Sequence, residues 1–260
     1  MMERHPFGGT GVPKQAPAVT VTGNFYWDTD NTSDQQALVP LFQDLEFRLE
    51  PSCWTCLLGT SGIGKSTLLR LIAGLQTDGI FNGTVAADDA LPIVDRIAYM
   101  AQSDLLFPWL SVERNIATGA MLRRQTVNQQ RLDELLLQTG LAEHRHKKPG
   151  ELSGGMRQRT ALARTLMEDT PIVLLDEPFS ALDTRTRADM QQLAATMLQD
   201  KTVLLVTHDA AEALRLGHHI YALSTTGMAA CDIPAEPPLR DMTSAAVIDA
   251  QRDLLLRLNS

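Results

Sequence analysis

Cysteine is scarce in this chain of 260 residues: only Cys53, Cys56 and Cys231 occur. An odd, sparse set of thiols excludes a disulfide framework and fits a reducing compartment. The Cys53-Trp54-Thr55-Cys56 spacing resembles a redox or zinc pair. However, the segment Trp54 to Leu58 reads as a strand, where residues three apart point to opposite faces. No second Cys or His pair lies at ligand spacing. Long apolar runs are also missing, and none approaches the roughly 18 residues needed to cross a bilayer. Met1 to Pro17 lacks the apolar core of a secretory signal. The chain is therefore expected in the cytoplasm, with any work at a membrane relying on other, spanning chains. Basic charge is in deficit too. Lys and Arg number 23 against 31 Asp and Glu, a net charge of −8, which argues against a general nucleic-acid binder. There are no internal repeats and no sustained heptads.

What the chain does have is enough apolar content, 44%, to bury a core. Val19 to Trp27 and Leu38 to Leu49 read as strands flanking a polar, turn-forming stretch, Asp28 to Gln36. Trp54 to Leu58, Ile97 to Ala101, Pro171 to Leu175 and Thr202 to Thr207 are further strands. The last two are continuous apolar runs, as in strands covered on both faces. Helices are expected from Lys65 to about Gly74, over much of 109–145 with stops at Gly119 and Gly140, from Thr184 to Leu198, and over 244–258. The final helix carries Val247, Ala250, Leu254 and Leu258 on one stripe. Strand–helix–strand alternation implies an α/β fold with a mainly parallel sheet. Residues 1–17 form a flexible tail, 18–232 the main domain, and 233–260 a proline-rich linker with a last helix.

Gly59-Thr60-Ser61-Gly62-Ile63-Gly64-Lys65-Ser66 fits the phosphate-loop pattern GxxxxGK[ST] between a predicted strand and a predicted helix. Glycines let the backbone wrap a phosphate. The inward N–H groups and the helix N-terminus supply positive potential. Lys65 is expected to reach the β- and γ-phosphates of ATP, and Ser66 to bind Mg²⁺, with Thr67 beside it. Ile172 to Leu175 ends in Asp176 and Glu177. Two carboxylates at a strand tip are costly unless they serve a cation. Asp176 suits the Mg²⁺ shell, which leaves Glu177 to act as general base on the attacking water. Leu152-Ser153-Gly154-Gly155-Met156-Arg157-Gln158-Arg159 opens another helix. Ser153 is a good N-cap, and Gly154 and Gly155 leave N–H groups bare as a second anion seat.

The LSGGMRQR block resembles the signature motif of the ATP-binding-cassette (ABC) family, and further blocks follow in the family's order. Gln102 in Ala98-Tyr99-Met100-Ala101-Gln102 resembles the Q-loop glutamine, Ser180-Ala181-Leu182-Asp183 the D-loop, and His208 the switch histidine. The resemblance covers about 19–230. It implies a P-loop NTPase core, an N-terminal antiparallel β portion, and a helical sub-domain at about 103–160. It also implies an adenine-stacking aromatic, placed at Tyr26 with Phe25 and Trp27 as rivals. In this family two chains pack head to tail. Each ATP lies between one chain's phosphate loop and the other's Ser153, Gly154 and Gly155, with Asp183 nearby. Gln102 would link Mg²⁺ and water to the helical sub-domain, and His208 would contact the γ-phosphate.

The implied role is an ATPase peripheral to the cytoplasmic face of the inner membrane. Its partners would be a second copy of itself, transmembrane permease subunits and an external solute-binding protein, not nucleic acid. The stretch Leu106 to Val112, with Gly155 to Arg159 and Asp176 to Asp183, resembles importers of the nitrate, sulfonate and taurine group, and Trp54 to Leu58 with the proline-rich C-terminal linker resembles their thiamine-precursor pyrimidine branch. The departures are the longer 28–36 loop and Pro51-Ser52, where glycine usually follows proline. The apolar cluster Leu105 to Leu110 is either core or a docking groove for a permease helix. The basic run His144 to Lys148 is a solvated loop or a contact with lipid head groups. A soluble ABC ATPase of DNA repair or cofactor assembly is the alternative, and a P-loop kinase a third reading.

Overall fold

The computed structural model describes residues 16–27, 39–224 and 227–258. The 28–36 loop and most of the N-terminal tail lie outside them. Among the described residues nine strands form two sheets. A three-stranded antiparallel sheet has the order β2-β1-β4, from β1 (Val19–Trp27), β2 (Val39–Leu49) and β4 (Gly79–Ala87). A six-stranded sheet has the order β5-β6-β7-β3-β8-β9. Its members are β3 (Trp54–Gly59), β5 (Ile97–Met100), β6 (Ile172–Asp176), β7 (Thr202–Thr207), β8 (His219–Ser224) and β9 (Gly227–Ala230). All neighbours in it pair in parallel except β8 and β9.

Strands β3, β6 and β7 of this sheet are covered on both faces, which explains their nearly continuous apolar runs. Side chains alternate between two cores. Trp54, Cys56, Leu58, Val173, Leu175, Val203 and Leu205 face one of them. Its other wall comes from α5 (Gly154–Met167), α7 (Ala210–Leu216) and α8 (Ala245–Leu258). Leu57, Ile172, Leu174, Leu204 and Val206 face the other core, with α1 (Lys65–Ile72) and the antiparallel sheet. Burying an aliphatic side chain contributes about 1.5–3 kcal/mol, so this doubly covered sheet is the most strongly stabilised part of the fold.

A helical portion follows β5: α2 (Val112–Ile116) and α4 (Gln129–Gln138) pack on α5, and α3 (Thr118–Leu122) joins α2. Asn115 is fully buried there, and its side-chain amide pins the preceding loop. It donates to the carbonyl oxygens of Phe107, Leu110 and Ser111 and accepts from Phe107 N–H at 2.8 Å. Gly140 stops α4 with φ +65°, whereas α3 runs across Gly119 instead of stopping there. The sequence reading did not assign β4, β8, β9 or α7. α6 spans Thr184–Met197. Val247 and Leu254 of α8 are buried as the stripe requires. The linker before α8 is fastened by Arg240, which is buried and donates to the carbonyls of Leu214 and Gly217 at 2.7 Å each.

Candidate nucleotide and hydrolysis site

Strands β5, β6, β7 and β3 lie side by side and in parallel, so their carboxyl ends open on one rim. In open α/β sheets ligands bind outside these ends. Gln102 follows β5, Asp176 and Glu177 close β6, His208 follows β7, and the phosphate loop follows β3.

The loop turns on Gly62 (φ +81°) and Gly64 (φ +105°). A side chain would be strained at either. At Gly64 a Cβ would also meet Leu41 at 2.8 Å. Gly64 is the N-cap of α1, which leaves the first N–H groups of that helix directed at the loop. Lys65 is 5% exposed, and its Nζ donates to the carbonyls of Gly59 (2.7 Å) and Thr60 (2.8 Å). Burial lowers the Lys65 pKa, and the carboxylates of Glu177 and Asp176 oppose this. A cavity of about 220 Å³ holds Ser61, Gly62, Gly64, Lys65, Ser66 and Thr67 together with Gln102, Glu177 and Trp27. A second, of about 470 Å³, joins Ser66, Thr67, Gln102 and Asp176 to Arg70 and Tyr99.

Asp176 falls on the α1 side of the sheet by the alternation of β6 and is 3% exposed. Burial raises its pKa, while a hydrogen bond from Ser66 and the Lys65 charge lower it. A buried carboxylate beside a hydroxyl and an amide suits a hard divalent cation that takes oxygen ligands. The residues present therefore fit Mg²⁺.

Glu177 adopts a left-handed backbone, φ +48°. Its N–H donates to the Val206 carbonyl at 2.9 Å. Its carboxylate bridges two other motifs: Oε1 is 3.1 Å from His208 Nδ1, and Oε2 accepts from Gln102 Nε2 at 3.3 Å. The structure thus brings Gln102, Glu177, His208 and the phosphate loop together. It does not bring Ser153, Gly154, Gly155 or Asp183 into the lining of that cavity. Ser153 caps α5 by accepting from Met156 N–H, and Asp183 caps α6 by accepting from Thr186 N–H at 3.1 Å. Hydrogen bonds from the Thr186 hydroxyl and then its N–H hold the Asp183 carboxyl below the usual carboxylate range. A Cβ at Gly154 or Gly155 would meet no atom beyond its own helix backbone closer than 3.5 Å. Among the described residues, none requires glycine at that helix tip.

Alternation along β1 sets Phe25 and Trp27 on one face and Tyr26 on the other. Phe25 is fully buried, edge-on to Trp27 at 5.3 Å. The aromatic lining the phosphate-loop cavity is Trp27, and Tyr26 is not among its lining residues.

The apolar cluster after Gln102 divides. Leu106 packs on the core, whereas Leu105 is 63% and Trp109 67% exposed. Leu105 and Phe107 line an open groove of about 910 Å³ with Val94, Tyr99, Leu122, Arg123 and Arg164. Arg164 fastens this edge by donating to the carbonyls of Leu105 (2.8 Å) and Asp104 (2.7 Å). Three partners of the site were not visible in the sequence. Gln158 hydrogen-bonds the turn after Glu177. Arg187 joins the Leu182 carbonyl to Asp209. Glu212 lies in a cavity of about 50 Å³ with Glu177 and His208.

A family model described as ABC transporter matches residues 42–180. The chain belongs to the ABC transporter family. It is an ABC ATPase that binds ATP, with a P-loop NTPase fold. An uncharacterized ABC transporter ATP-binding protein of Haemophilus influenzae is 43% identical over 225 residues, covering 84% of this chain and 92% of that protein. The aliphatic sulfonates import ATP-binding protein SsuB 1 of Rhodococcus jostii is 44% identical over 192 residues (72% and 75%). The thiamine import ATP-binding protein ThiQ of Mesorhizobium japonicum is 39% identical over 208 residues (77% and 81%). Among solved structures, the dimeric post-hydrolysis state of the ATP-binding cassette MJ0796 bound to ADP and Pi superposes on this ABC ATPase with a TM-score of 0.68. It is 26% identical and covers 86% of this chain and 99% of its own. No helix among the described residues is long and apolar enough to cross a membrane.

Proposed function

We propose that this ABC ATPase is the motor of a small-solute importer and works as a head-to-tail pair. The observation that carries this reading is the position of Glu177: one carboxylate touches both Gln102 and His208 at the rim of the phosphate-loop cavity. ATP is the substrate. Trp27, in the cavity where Tyr26 is not, stacks on adenine. Gly59 to Thr67 wrap the phosphates, and Lys65 neutralises the β- and γ-oxygens. Ser66, Gln102 and Asp176 would hold Mg²⁺, which when bound neutralises phosphate charge. Glu177 accepts the proton of the attacking water. His208 orients Glu177 and faces the γ-phosphate, and Gln102 senses both.

The exposed tip of α5 is the other half of a partner's site. Ser153, Gly154 and Gly155 offer bare N–H groups that their own chain leaves uncovered, and a triphosphate on a second copy satisfies them. Asp183 lies at that seam. The groove at Leu105 and Phe107, bordered by Trp109, takes a helix of the permease. The chain is peripheral at the cytoplasmic face of the inner membrane, and an external binding protein delivers the solute. The relatives named for aliphatic sulfonates import and thiamine import support an aliphatic sulfonate or thiamine as cargo. They disfavour a soluble repair or cofactor-assembly role.

Glu177→Gln tests the hydrolytic reading. The variant is expected to bind ATP as the wild type does and to lose roughly 10²- to 10⁴-fold in turnover. Wild-type turnover in steady-state phosphate release would remove Glu177 from its role.

A further inference from the structure

Gln158 sits on α5, one turn beyond the tip formed by exposed Gly154 and half-buried Gly155, and is buried. Its side-chain amide is spent on one segment, the turn from Glu177 to Ala181. Nε2 donates to the Glu177 carbonyl at 3.0 Å and to Ser180 Oγ at 3.3 Å. Oε1 accepts from Ala181 N–H at 2.7 Å. Ser180 Oγ itself donates to the same Glu177 carbonyl at 3.0 Å.

Glu177 needs such support. It is a non-glycine residue at positive φ, and it precedes Pro178, which favours extended backbone in the residue before it. Its N–H is pinned to β7 through Val206. Its carbonyl is pinned to α5 through Gln158. The two pins together hold the backbone that aims the carboxylate between Gln102 and His208.

We propose that Gln158 is a positioning residue that couples the two hydrolysis sites of the dimer. This rests on the reading of Glu177 as general base and of the α5 tip as the seat of the partner's nucleotide. The helix that meets the partner's γ-phosphate is the helix that sets Glu177 in its own chain. A shift of α5 on seating that phosphate moves the Gln158 amide and, with it, the Glu177 carbonyl. Each catalytic carboxylate is therefore trued by the nucleotide in the other site. The D-loop is drawn into the same contact, because Ala181 and Ser180 share the amide.

The test uses the complete chain and ATP with Mg²⁺. Gln158→Leu keeps the bulk and removes every hydrogen bond. It is expected to lower kcat by roughly ten- to a hundredfold, the loss of two to three hydrogen bonds. KM for ATP should stay within about twofold, and the Hill coefficient should fall towards 1. Gln158→Glu keeps the acceptor for Ala181 N–H and loses the donor. Its kcat should recover towards wild type as pH is lowered and the introduced carboxyl regains a proton. A wild-type kcat and Hill coefficient in Gln158→Leu would overturn the proposal. So would a parallel loss of kcat, ATP affinity and thermal stability with no pH recovery in Gln158→Glu, since a merely structural residue behaves that way. If Gln158→Leu does not fold, the pH profile of Gln158→Glu decides alone. Failure of the underlying reading shows separately, as full activity of Glu177→Gln.

Discussion

Replacing Glu212 by glutamine would remove one ionisable group from behind the catalytic pair. Glu212 lies on α7, buried, in the small cavity shared with Glu177 and His208. Its Oε1 accepts from Gln191 Nε2 at 3.2 Å. Burial pushes its pKa from 4.5 up to about 7, against the pull of hydrogen bonds from Thr207 and Gln191 and of the Arg187 charge; Asp209 adds to the rise. The folded protein therefore holds this proton more tightly than the unfolded chain. Wild-type stability is undiminished by this group below pH 4.5, falls as pH rises through the window from 4.5 to about 7, and is lowest above it. The pKa difference corresponds to at most about 3 kcal/mol. Glutamine is neutral throughout and can still accept from Gln191. Glu212→Gln should therefore lie within about 1 kcal/mol of the wild type at pH 5 and exceed it by up to about 3 kcal/mol at pH 8, on the order of 5–10 °C in Tm. Thermal unfolding followed by circular dichroism from pH 5 to 8.5 measures this. Two curves that run parallel across the range would refute the reasoning.

Three further substitutions separate readings that lie close together. Trp27→Ala should raise KM for ATP roughly tenfold, the value of one base–aromatic stack, while Tyr26→Ala leaves it near wild type; the reverse order would return the adenine to Tyr26. Leu105→Asp should abolish co-purification with the permease in detergent while sparing basal ATP turnover of the isolated chain, because Leu105 is exposed on the groove and outside the phosphate cavity.

The parts legible in the sequence were those where composition and spacing have one physical cause. β6 and β7 are buried at every position, and their apolar stretches Ile172 to Leu175 and Val203 to Val206 run unbroken because both faces are covered, and the phosphate loop declares itself through glycines that need positive φ. β4 escaped notice because it is an exposed edge strand carrying Gly79 and Gly83, with almost no apolar alternation. Gly119 reads as a helix stop, yet it sits inside α3 without positive φ, with the Glu168 carboxylate where a Cβ would be. The choice among Phe25, Tyr26 and Trp27 depends on which face of β1 meets the phosphate loop. That parity is fixed by pairing with β4, a strand the sequence did not reveal. Gln158 and Glu212 are polar residues on helices, where periodicity assigns them to solvent. Their burial follows only from how α5 and α7 pack under the rim of the sheet.

The shared-site claim is tested most directly by measuring mass in solution with bound ATP. By light scattering with excess ATP and Mg²⁺, Glu177→Gln should run as a dimer, and the double variant Glu177→Gln, Ser153→Arg as a monomer that still binds one ATP per chain. A double variant that dimerises with ATP as readily as Glu177→Gln would mean that the α5 tip does not cap a partner's nucleotide.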